Sequence, residues 1–111
     1  MPDTSFKEFV QDQLRGLGKV ESRAMFGGYG LYLGDVFFAI IYEGRLYFKT
    51  DPASLPGYLR MGMKPFRPNA RQTLKSYYEV PVDIIEDQAE LAAWARRAVQ
   101  AQTALPTRRD R

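Results

Sequence analysis

The side chains able to do chemistry in this sequence are lysines, arginines, tyrosines and carboxylates, because it contains no histidine and no cysteine. That removes thiolate metal sites, cysteine nucleophiles, disulfides, Ser-His-Asp catalysis and imidazole proton shuttling. Among the groups that remain, no acid, base and nucleophile set can be picked out. The expectation is therefore a protein that is not an enzyme.

Two glycine patterns come close to phosphate-binding loops. Gly28, Gly30 and Gly34 miss the spacing of a dinucleotide fingerprint and lie between strand-like segments, where no helix N-terminus could receive a phosphate. Gly57 and Gly62 approach a P-loop, but Lys64 comes one position late and no Ser or Thr follows it. Both patterns read as turns and bulges, so no cofactor is expected. Asp83, Glu86, Asp87 and Glu90 fall where a helix begins. Capping and the helix dipole account for acids there, and no metal is assigned to them.

The charge layout says more than the net charge of +3. Pro52 to Tyr78 holds no acidic residue but does hold Arg60, Lys64, Arg67, Arg71 and Lys75, interleaved with Tyr58, Phe66, Tyr77 and Tyr78. Basic groups contact phosphates and aromatic rings stack on bases, so these five residues are a candidate nucleic-acid or partner surface. An ordinary solvated loop and strand face around core aromatics has the same composition.

These residues must be positioned by an α+β frame. Phe6, Phe9, Val10, Leu14 and Leu17 recur with helical period, with Ser5 and Glu8 as a capping box. Arg23 to Leu33, broken by glycines, reads as a strand pair or one bent strand. Leu33-Gly34-Asp35-Val36 and Glu43-Gly44 are turn signals on either side of Val36 to Tyr42, and Arg45 to Lys49 alternates as a strand. Asp51 and Pro52 open a short helix that Gly62 stops, Phe66 sits on a short strand between prolines, and Gln72 to Val80 forms the last strand. A final helix is capped by Asp87 with Glu90 and carries the stripe Leu91, Trp94, Ala95 and Ala98. The natural packing is two layers, an antiparallel sheet with helices on one face. One domain over 1–103 is expected, followed by a flexible basic tail at 104–111.

Val36 to Tyr42 is apolar on both sides. In a two-layer fold one sheet face lacks helices, so Val36, Phe38, Ile40 and Tyr42 form a candidate self-association face, and a homodimer is expected from it. No basic and apolar leader opens the chain, and its longest apolar run is too short to span a bilayer. The expected setting is cytoplasmic, away from membrane.

Several separated motifs carry a family resemblance. They are Arg23 to Tyr32, Phe38-Ala39-Ile40-Ile41, Gly44 to Lys49, Pro65-Phe66, Ser76 to Pro81 and Trp94-Ala95-Arg96. Together they resemble the N-terminal domain of TfoX (Sxy), regulators of competence genes, over roughly residues 5 to 101. The resemblance implies a fold like the type III secretion chaperones, ordered α-β3-α-β2-α. It also implies a transcriptional coactivator role through protein contacts, alongside a cyclic-AMP receptor protein. Met25, Phe26, Gly27, Gly28, Tyr29 and Gly30 carry over as a structural signature. The regulators have a second, C-terminal helical domain; because this sequence ends soon after its last helix, a stand-alone single-domain member is expected.

Overall fold

A computed structural model describes residues 4–103 apart from Phe26. The first helix, α1 (Thr4–Gln13), is followed by four strands, β1 (Val20–Met25), β2 (Gly28–Leu33), β3 (Val36–Tyr42) and β4 (Arg45–Lys49). A short helix α2 (Leu55–Arg60) leads to β5 (Pro65–Asn69) and β6 (Gln72–Glu79), and the described chain closes with α3 (Val82–Ile85) and α4 (Gln88–Thr103). All six strands pair antiparallel in the order β1-β2-β3-β4-β6-β5. The class is the α+β arrangement expected. Four strands precede α2, one more than the resemblance implied, because the glycine-broken segment is a true strand pair. The tail at 104–111 lies outside the described residues.

Turn chemistry fixes the strand order. Glu43 and Gly44 both take positive φ, 51° and 75°, the geometry of a two-residue hairpin whose twist matches its strands. Asp51 and Ser54 exchange bonds: the Ser54 N–H donates to Asp51 Oδ1 at 2.8 Å, and the Asp51 N–H donates to Ser54 Oγ at 3.0 Å. This reciprocal cap precedes α2, which itself starts at Leu55. The Glu90 N–H donates to Asp87 Oδ1, as the cap reading of α4 requires. Ser5 lies inside α1 and so does not cap it.

The main core lies between the sheet and the helices. Val10 of α1 and Leu14 in the turn after it, Phe38 and Phe48 of the sheet, and Leu91 and Ala95 of α4 meet there with no exposed surface. Small residues along α4 let it lie close across β3 and β4.

The opposite sheet face is covered as well. Ile40, Tyr47, Phe66 and Tyr77 form a second buried cluster, with Phe37, Tyr42 and Leu74 packed on it. Phe66 is fully buried although its strand is at the sheet edge. Its ring meets that of Tyr42 edge-on at 5.4 Å, and the Tyr42 hydroxyl reaches the Pro68 carbonyl at 3.5 Å. The β5–β6 end of the sheet therefore curls back over β3 and β4.

This corrects the expected self-association face. Where Leu31 pairs Ala39 but Tyr32 pairs Phe37, β3 carries an extra residue, Phe38, and the bulge reverses the alternation of side chains. Val36 and Phe38 join the core under the helices, whereas Ile40 and Tyr42 join the aromatic cluster behind the sheet. The four residues do not share a face. Among the described residues the exposed large apolar side chains are Phe9, Leu59, Met61 and Val82, all outside the sheet.

Candidate partner-binding surface

The glycine-rich signature is structural. Gly27 turns the chain with φ 84°. Gly28 is buried against β3, and a Cβ on it would fall on the Ile41 carbonyl oxygen. A Cβ on Gly30 would come within 2.7 Å of Met25 Sδ and 2.9 Å of Phe37 Cε1. Met25 and Phe37 thus occupy the space that glycine leaves. Tyr29 is half-buried, with Lys7 Nζ 5.1 Å from its ring centre, and Phe26 lies outside the described residues.

The five basic residues Arg60, Lys64, Arg67, Arg71 and Lys75 form no ion pair among the described residues. All five are exposed. They do not form one cluster of common origin. Arg67, Arg71 and Lys75 belong to the β5–β6 hairpin, where Arg67 Nη2 donates to the Ala70 carbonyl and the Arg71 N–H to Asn69 Oδ1. Lys64 precedes β5. Arg60 ends α2 and turns toward α4 instead.

Between α2 and α4 lies a cleft of about 210 Å³, lined by Ala53, Gly57, Tyr58, Arg60, Trp94 and Arg97. Its floor is aromatic: the Tyr58 and Trp94 rings meet edge-on at 4.8 Å. Burial raises the Tyr58 hydroxyl well above the usual tyrosine range, opposed by the nearby Arg97 guanidinium and reinforced by Asp51. Tyr58 therefore stays a neutral hydrogen-bonding group, and the positive charge comes from Arg60 and Arg97. Leu59 and Met61, the chain neighbours of Arg60, are 54% and 45% exposed.

Such a surface suits a ligand that brings both a carboxylate and apolar side chains. Guanidinium groups match carboxylates in two-point geometry, and an exposed Leu–Arg–Met run beside an aromatic floor offers apolar area. In the sequence Arg60 stands out by its charge, whereas Trp94 reads as core and Arg97 as a dipole partner. The i,i+3 spacing of Trp94 and Arg97 on one helix is the signal that both reach the same neighbour.

The remaining perturbed groups are tyrosines behind the sheet. The Tyr77 hydroxyl is pushed up to about 12, mainly by burial and then by Tyr32, while a hydrogen bond with Gln102 pulls it back. Burial also raises Tyr47, with Glu79 adding to the effect. Raised phenols of this kind are poor proton donors and poor nucleophiles at neutral pH, and burial of their rings explains the shift without any chemistry.

Comparison with known proteins gives a consistent result. Residues 12–102 match the family model described as the TfoX N-terminal domain. Protein Sxy of Escherichia coli K12 is 26% identical over 105 residues, covering 91% of this chain and 50% of that protein. DNA transformation protein TfoX1 of Aliivibrio fischeri is 26% identical over 89 residues, covering 78% of this chain and 43% of its own length. The chain thus spans about half the length of the curated relatives it matches.

Proposed function

The chain belongs to the TfoX N-terminal domain family, and from that premise we propose that it is a non-catalytic regulatory domain of competence type that acts by holding a protein partner. The name of the Aliivibrio relative, a DNA transformation protein, supports the competence setting. The reading takes the domain to work in the cytoplasm on the transcription machinery or one of its regulators.

The observation that carries the protein-binding part is the α2–α4 surface. Exposed Leu59 and Met61 flank Arg60, and Arg97 lines the same aromatic cleft. Apolar side chains beside guanidinium groups favour a partner segment that alternates acidic and apolar residues. The test is affinity purification from the native host with and without nuclease, comparing the natural domain with Arg60→Glu/Arg97→Glu. A partner that survives nuclease and fails to bind the double variant supports the reading. Equal recovery by both proteins rejects this surface.

A second reading, direct nucleic-acid binding, is favoured by one observation: Arg60, Lys64, Arg67, Arg71 and Lys75 are without ion pairs among the described residues. Recovery that collapses with nuclease, and an affinity that falls steeply with salt, would favour it instead.

A further inference from the structure

The two edges of the sheet are built differently. At one edge, β5 carries Pro65 and Pro68, which remove backbone donors and blunt the strand. At the other, β1 reads Val20-Glu21-Ser22-Arg23-Ala24-Met25, with no proline and with Glu21, Arg23 and Ala24 exposed. Its one side, toward β2, is paired along its whole length from Val20 to Met25. On the outer side, Gln11 Nε2 donates to the Val20 carbonyl at 2.8 Å and covers one end. Among the described residues no further strand pairs with that edge.

We propose that β1 pairs antiparallel with β1 of a second copy of this chain, about a twofold axis at Ser22, joining two six-stranded sheets into one. The occupant follows from the charges. A twofold axis perpendicular to the sheet must pass through a residue, because paired residues in antiparallel strands point to the same face. An axis at Glu21 or Arg23 sets like charges directly opposite each other. An axis at Val20 or Ala24 leaves much of the strand unpaired. An axis at Ser22 uses most of the strand and places Glu21 opposite the second copy's Arg23 twice over. Val20 then faces Ala24 at the end where Gln11 already holds the Val20 carbonyl, so the central Glu21 to Arg23 stretch carries the pairing.

The side chains are prepared for this pairing. Glu21 pairs across the ladder with Tyr32, so Glu21, Arg23 and Tyr32 share one face of the sheet. The Arg23 guanidinium sits 4.3 Å from the centre of the Tyr32 ring, which holds it near the strand. Within the chain, Glu21 meets Lys19 at 3.9 Å, an exposed pair of little worth that leaves the carboxylate able to meet a guanidinium.

The test is sedimentation of the natural domain and three variants up to high micromolar concentration, with thermal melting to confirm that each variant is folded. Glu21→Arg and Arg23→Glu each set like charges in both pairs. Each should weaken the dimer by roughly tenfold or more, since opposed like charges at an interface are costly. The double variant Glu21→Arg/Arg23→Glu exchanges the charges and should recover the dimer. A natural domain that stays monomeric at high micromolar concentration would overturn the proposal. So would a Glu21→Arg variant that associates as well as the natural chain, or a double variant no better than the singles.

Discussion

The rings of Tyr47 and Phe66 lie 4.7 Å apart, centre to centre, although their strands are separated by β6. A flat sheet would hold neighbours-but-one about 10 Å apart. The contact exists because the β5–β6 ladder shifts register on both sides of Phe66 and the sheet folds over itself there. Phe66 is thus the tie between the sheet's end and its middle. Phe66→Ala should cost about 3–5 kcal/mol of stability by the transfer and cavity terms of a buried aromatic. Urea unfolding checks it, and a change below about 1 kcal/mol would mean that the cluster closes up without the ring.

Two glycines offer a paired comparison. Gly28→Ala places a methyl group against the Ile41 carbonyl, which is backbone and cannot swing aside. A loss of about 1–3 kcal/mol is expected, as for other overpacked sites. Gly16 has no atom within 4 Å of its would-be Cβ and no positive φ. Gly16→Ala should leave the melting temperature unchanged or slightly higher. Equal effects at both positions would show that the close approach at Gly28 is relieved by strand movement.

Alkaline pH should unfold the domain through its buried phenols. Tyr77 titrates near 12 in the fold against 10 for an exposed tyrosine, and Tyr58 and Tyr47 move in the same direction. The folded state therefore favours the protonated form. The stability this contributes is complete below pH 10 and is lost as pH rises through about 12. Phenolate absorbance should lag in those tyrosines until circular dichroism reports unfolding. Full titration of all tyrosines before any loss of structure would contradict the burial argument.

The hairpin arginines should separate from the cleft arginines in function. Arg67→Glu/Arg71→Glu should leave nuclease-resistant partner capture intact, because neither residue lines the α2–α4 cleft. Any retention on duplex DNA should fall in the same variant, with the salt slope reduced by roughly 0.9 for each phosphate no longer neutralised. Failure of partner capture together with unchanged DNA retention would reverse the assignment of the two surfaces.

Much of the frame is legible in the sequence because local chemistry dictates it. The Asp87–Glu90 cap, the Glu43-Gly44 turn and the alternation of Arg45 to Lys49 depend on residues only a few positions apart. The self-association face fails for the opposite reason. Strict alternation along Val36 to Tyr42 holds only without a bulge, and the bulge at Phe38 arises from pairing with β2, which no window on β3 alone can reveal. Covering of the helix-free face by Phe66 is likewise hidden, since Phe66 and Tyr42 are brought together by curvature of the whole sheet. The cleft is half legible: Arg60 stands out by charge, whereas Trp94 and Arg97 gain their role only when α4 is set beside α2.

The prolines of β5 bear on more than one strand's hydrogen bonds. A subunit able to extend its sheet at both ends can recruit neighbours without limit, and the product is a fibre. With Pro65 and Pro68 blunting β5, the proposed pairing through β1 would give this subunit a valence of one. Under that proposal, growth by strand addition would terminate after a single step, and the assembly would stay finite.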